Sequence, residues 1–231
     1  MDGHDGGVLT EHELIARVDA AFAVTGQGLA GWPDPHPDRS PRDEEYSRLL
    51  DPAKWRIVGA RADAWLMTLA ETGLALVDPS AQVQWRVPPT TVVSRTDRVV
   101  PYVSGALPLI VARSQLRDQG DVRAPGAGAV DDAGVTLGVG DPAVCVTWIP
   151  DCGCDACDSG SQDVLDELDE YIFGVVSGDF RRLWSGDREI TIISSERRRA
   201  SGNFGRKEVD AILADPDGWQ EMSGTPWMSD G

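Results

Sequence analysis

Apolar residues recur with a helical period near both ends of the chain and with a strand period between them. Thr10 followed by Glu13 forms a capping box, and Leu14, Ile15, Val18 and Phe22 share a face behind it. This predicts a first helix that stops near Gly26 and Gly28. Pro33, Pro35, Pro37 and Pro41 make residues 32–41 an irregular connection, because each removes a donor and restricts its predecessor. Ser40 with Pro41 at a first helical position predicts a short second helix carrying Tyr46, Leu49 and Leu50. Asp51-Pro52 repeats that signal ahead of the longest helix, residues 52–72. There Trp55, Val58, Ala62, Trp65, Leu66 and Leu69 form one stripe, with Arg56, Arg61, Asp63 and Glu71 outside it. Gly73 supplies a left-handed stop.

The middle reads as β: residues 74–77, 83–87, 91–94, 99–103 and 107–114 are short, β-branched and punctuated by Pro, Gly or Asp. Residues 117–134 hold Gly, Asp and Ala with little to bury and are expected to be a flexible loop, like 1–9 and 222–231. Residues 135–139 and 143–149 predict a hairpin across Gly140-Asp141-Pro142. Strict alternation would put Val144, Val146 and Trp148 on one face and Cys145, Thr147 and Ile149 on the other. A helix over 162–177 follows, with Val164, Leu165, Leu168, Tyr171, Ile172 and Val175 inward and Asp166, Glu167, Asp169 and Glu170 largely opposite. A hairpin of 180–184 and 188–194 and a last helix over 206–214 complete the pattern. Helices flanking a run of strands, without βαβ alternation or a linker, imply an α+β fold in which helices pack on a mainly antiparallel sheet. A single domain over 1–231 is expected.

Composition narrows the partners. With 38 acidic and 21 basic residues the net charge is −17, which repels phosphate backbones and anionic lipid headgroups. The one basic cluster is Arg197, Arg198 and Arg199 with Arg206 and Lys207, read as a solvated loop complementing acids elsewhere rather than an anion site. The acidic start Met1-Asp2-Gly3-His4-Asp5 lacks an apolar signal region, and no apolar run is long enough to span a bilayer. The expectation is a cytoplasmic protein that binds neither nucleic acid nor membrane.

Familiar catalytic patterns are missing. His4, His12 and His36 all precede the strand-rich middle, and no Gly-x-Ser-x-Gly, His-Glu-x-x-His or phosphate-cradling glycine motif occurs. The unusual segment is Pro150-Asp151-Cys152-Gly153-Cys154-Asp155-Ala156-Cys157-Asp158-Ser159-Gly160. On this stretch the chain resembles an uncharacterised actinobacterial protein family marked by Pro-x-Cys-Gly-Cys-Asp-Ala-Cys-Asp-x-Gly running into an acidic helix. The resemblance implies kinship and carries no assigned activity.

Three chemistries fit the segment. Cys152, Cys154 and Cys157 could surround a tetrahedral zinc, with Cys145 or one of Asp151, Asp155 and Asp158 as fourth ligand. Cys154-Asp155-Ala156-Cys157 could serve as a redox or nucleophilic pair at a helix start, although three aspartates oppose thiolate formation and the loop holds no cation. Alternatively the thiols pack as small apolar groups while the aspartates cap backbone donors. Function accordingly stays open between a protein-binding module with a structural cysteine loop and a zinc-stabilised or thiol-dependent enzyme.

Overall fold

The computed structural model describes residues 9–116, 132–205 and 207–228. Most of the loop expected over 117–134, the extreme termini and Arg206 of the basic cluster lie outside the described residues.

Helix α1 (Glu11–Thr25) begins with the expected capping box: the Glu13 amide donates to Thr10 Oγ1 at 3.3 Å and the Thr10 amide donates to Glu13 Oε2 at 2.9 Å. The predicted 52–72 helix is a 3₁₀ turn (Pro52–Trp55) leading into α2 (Arg56–Glu71), and Gly73 ends it with φ +70°. The short helix expected after Pro41 is only a 3₁₀ turn over Asp43–Ser47. Tyr46 is 53 % exposed and Leu50 72 %, so burial of an apolar face does not extend that turn.

Six strands build the main sheet: β1 (Ala75–Asp78), β2 (Trp85–Val87), β3 (Val93–Pro101), β4 (Leu109–Ser114), β5 (Gly134–Val139) and β6 (Ala143–Ile149). Their order is β1-β3-β4-β5-β6-β2, antiparallel except for the β2–β6 edge pair, which is parallel. The two short strands expected at 91–94 and 99–103 are one strand, β3. Its polar middle is tolerated because buried Asp97 accepts from the Ser80 amide at 3.2 Å and pairs with Arg95 at 3.0 Å.

Helices α2 and α3 (Ser161–Val176) cover one face of this sheet. Leu109, Val111, Val135, Leu137, Val139 and Ile149 meet Trp55, Trp65, Leu69, Leu168 and Ile172 in one core. On the other face Trp85 lies across Gly138, where a Cβ would sit 2.6 Å from the indole, so only glycine permits this approach.

A second sheet follows, ordered β10-β7-β8-β9 from β7 (Arg181–Ser185), β8 (Arg188–Ile192), β9 (Arg198–Ser201) and β10 (Gln220–Ser223). Helix α4 (Glu208–Ala214) packs Ile212 on Leu183 and Ile190 in a small core. Part of the tail expected to be loose is thus built in: Gln220–Ser223 pair with β7, and Trp227 is buried with its amide donating to the Val176 carbonyl at 2.9 Å. The architecture is α+β. Among the described residues no helix is long and apolar enough to cross a membrane.

A bulge in β6 corrects the alternation read from sequence. Thr147 pairs with Leu137 and Cys145 with Gly138, leaving Val146 as the extra residue. Beyond it the faces exchange, so Thr147 and Ile149 sit with Leu137 and Val135, and Trp148 pairs with Thr136. Cys145 consequently shares the Gly138 face with Trp85, across the sheet from the core helices.

Candidate functional site

The cysteine segment forms the connection from β6 to α3, with a single 3₁₀ turn at Asp155–Cys157. Gly160, at φ +94°, ends the connection where a Cβ would lie 2.7 Å from the Asp34 amide nitrogen. The proline-rich segment can close on the loop only because that position is glycine.

Two aspartates, Asp155 and Asp158, pin the loop. The Asp155 amide donates to the Arg48 carbonyl at 2.8 Å, and the Asp155 carboxylate accepts from Arg48 Nε at 2.7 Å and from the Leu50 amide at 3.1 Å. Buried Asp158 accepts from Trp32 Nε1 at 2.8 Å and from the Gly160 amide at 2.9 Å, and it pairs with Lys54 Nζ. Lys54 in turn lies 5.1 Å from the Trp32 ring and 5.0 Å from the Trp55 ring. The cations missing from the loop itself are therefore delivered by the segment ahead of α2. Asp155 and Asp158 are engaged by these partners, and neither carboxylate belongs to the group that the three sulfurs form.

The pinned loop turns its sulfurs together. The Sγ atoms of Cys152, Cys154 and Cys157 all lie within 4.8 Å of one another, with Cys152 and Cys154 at 3.1 Å. A tetrahedral ion with metal–sulfur bonds of about 2.3 Å requires sulfurs about 3.8 Å apart, so small rotations suffice to seat one. Cys145, paired with Gly138 in β6, is outside this group. Burial pushes the Cys152 thiol up to about 12, with repulsion from Cys154 and Cys157 adding to it; burial raises Cys157 as well. Without a metal these two thiols stay protonated at neutral pH.

Over residues 18–229 the sequence matches the model of a family of unknown function, DUF6226. The chain belongs to that family. No curated protein and no solved structure matches it. The matched range contains the whole main sheet, α2 to α4 and the cysteine loop, so the DUF6226 unit includes every residue of the candidate site.

Two hollows flank the loop of this DUF6226 chain. A cavity of about 160 Å³ is lined by Trp55, Asp151, Cys152, Cys157, Asp163 and Glu167, among others. A broader cleft of about 560 Å³ holds Asp34, His36 and Arg39 opposite Cys157 and Ser159. Sequence reading placed His36 far from the cysteines; the closure of residues 32–41 onto Gly160 brings it to the same cleft. Nothing in local spacing could show this, because the contact spans about 120 residues.

Glu45, a residue that reading did not single out, organises the approach to the loop. It accepts from Arg39 through both oxygens at 2.8 Å, from Arg48 at 3.1 Å and from the Arg42 amide at 2.7 Å. The Arg39 hydrogen bonds, with that amide next, hold its carboxyl well below the usual carboxylate range. A depressed carboxylate contributes stability above the unfolded value and loses it as pH falls through the folded one. The melting-temperature gap between wild type and Glu45→Gln is expected to hold from neutral pH down to the ordinary glutamate value of about 4 and to narrow as pH drops further below it. A gap that stays constant across that titration would contradict the assignment.

Proposed function

We propose that the cysteine loop is a structural metal site in which Cys152, Cys154 and Cys157 hold a soft or borderline ion, zinc first. The carrying observation is the mutual approach of three sulfurs within 4.8 Å on a loop clamped by Arg48, Trp32 and Lys54. Thiolate sulfur selects such ions over magnesium or calcium. Packing alone accounts poorly for the arrangement, because Cys157 is exposed while converging on buried Cys154. A thiol nucleophile or redox pair needs a lowered pKa, and burial moves both Cys152 and Cys157 the other way.

The ion would cross-link Cys152, Cys154 and Cys157 within the β6–α3 connection, which Asp155 and Asp158 hold to Arg48, Trp32 and Lys54, making the loop a staple for a binding module that works in a reducing cytoplasm. The test is elemental analysis of untagged protein, with calorimetry of zinc binding in buffers of different ionisation enthalpy. One zinc per chain and release of about three protons at neutral pH are expected, since each thiol must ionise. Metal-free protein that binds none, with thiols labelled only after denaturation, would establish packing instead.

The partner class proposed excludes nucleic acid. Arg198 lies on the edge strand β9 and pairs with Asp210 at 2.6 Å; Arg197 reaches Glu170 at 2.5 Å, and Arg199 reaches Glu167 at 3.3 Å. With these guanidiniums engaged and a net charge of −17, no salt-sensitive sub-micromolar binding to DNA or RNA is expected. A filter-binding titration showing such affinity would reverse this.

A further inference from the structure

We infer that the metal keeps one coordination position for a ligand from solution, opening into the cavity between Trp55 and α3, and that the ligand is a small neutral nitrogen donor. The inference rests on the metal reading above. Among the described residues no histidine, carboxylate or further cysteine joins the three sulfurs within 4.8 Å, and Asp155 and Asp158 are held by Arg48, Trp32 and Lys54. Cys154 is 1 % exposed and closes the inner side of the site, whereas Cys152 and Cys157 both line the cavity of about 160 Å³. A tetrahedral ion seated on the three sulfurs directs its remaining position away from Cys154, toward that space.

The cavity walls set the ligand. At about 30 Å³ per water-sized group, the space takes a molecule of a few heavy atoms. Asp151, Asp163 and Glu167 share the wall, and three thiolates leave a divalent ion with net negative charge, so anions are repelled. Borderline ions accept imidazole or amine nitrogen readily. Glu167 shares its Oε1 between Arg197 at 3.4 Å and Arg199 at 3.3 Å, which leaves Oε2 to accept the N–H of such a donor, and the Trp55 ring gives the donor a flat apolar wall. The Trp55 indole N–H has no hydrogen-bond partner among the described residues.

The experiment is cobalt substitution of the full chain followed by titration with imidazole, read by visible absorption with cobalt content measured afterwards. A saturable shift of the cobalt bands with metal retained, and no shift with chloride or phosphate, is expected. Glu167→Gln should weaken imidazole roughly fivefold at unchanged cobalt stoichiometry. Bands that ignore imidazole in the wild type but change in Asp151→Asn or Cys145→Ser would overturn the inference by revealing a protein fourth ligand. Equal affinity in Glu167→Gln would remove Glu167 from the ligand's contacts. A chain that takes up no cobalt fails at the earlier step, sinking the metal site itself.

Discussion

Replacing Arg61 by methionine should destabilise the protein by about 3 kcal/mol, the lower end of what removing one partner of a buried ion pair costs. Arg61 projects from α2 with only 5 % of its surface exposed. Its Nε and Nη2 reach the two oxygens of Asp169 on α3 at 2.9 and 2.6 Å, and Nη1 reaches Asp19 on α1 at 2.7 Å. The same Asp169 accepts from Trp65 Nε1 at 2.6 Å, so one carboxylate joins two helices and a fully buried indole. Methionine keeps the packing volume but leaves Asp169 without its cation. Asp169 retains 17 % side-chain exposure, which moderates the loss. For a chain of this size the melting temperature should fall by about 10 °C. Asp19→Asn should cost under about 1 kcal/mol, because that carboxylate is mostly in water. Pairing Arg61→Met with Asp169→Asn should recover much of the difference, since the stranded charge goes while an amide oxygen still accepts from Trp65 Nε1. A loss below about 1 kcal/mol for Arg61→Met alone, in chemical denaturation, would disprove this account.

The second large effect concerns the proposed metal. Stripping the ion with a chelator, or removing a ligand by Cys154→Ser, should lower the melting temperature by about 10 °C when free zinc stands near a thousandfold over its dissociation constant. The pH dependence gives a sharper signature. Without metal, the raised Cys152 value means the folded state favours the neutral thiol; that contribution is complete below the unfolded cysteine value and fades as pH climbs from about 8.5 toward 12. Metal-bound protein leans the other way, because its ligands are thiolates and acid competes for them. Melting curves of the two forms should therefore diverge as pH rises from 6 to 10. Coincident curves in Cys154→Ser and wild type, with and without chelator, would show that the sulfurs carry no ion.

How far these features can be read from sequence differs by element. Helices α1, α2 and α3 and the β5–β6 hairpin were recoverable because each has a periodic apolar face and a local stop or start signal, such as Thr10 with Glu13 or Gly73. Strands β9 and β10 were not. Arg198–Ser201 is fully exposed and Gln220–Ser223 nearly so, and an edge strand with a solvated face shows no hydrophobic alternation. The run of arginines reads as a loop for the same reason, although its role as complement to acids elsewhere is what the structure displays.

The candidate site divides along the same line. Spacing alone brought Cys152, Cys154 and Cys157 together, since Gly153 and a tight turn leave three nearby sulfurs few ways to separate. Cys145 was misplaced by one inserted residue, Val146, because side-chain direction in a strand reverses at every step and a bulge is invisible to periodicity. The partners of the loop, Trp32, Arg48 and Lys54, and the cavity walls Trp55 and Glu167, come from segments up to 126 residues apart in the chain. Local sequence determined the helices, the core strands and the gathering of sulfurs, because those depend on neighbours within a turn or a pleat. Tertiary packing decided which carboxylates are neutralised, which hollow borders the sulfurs and where Arg61 finds its partners, because charge pairing and burial are properties of distant segments brought into contact.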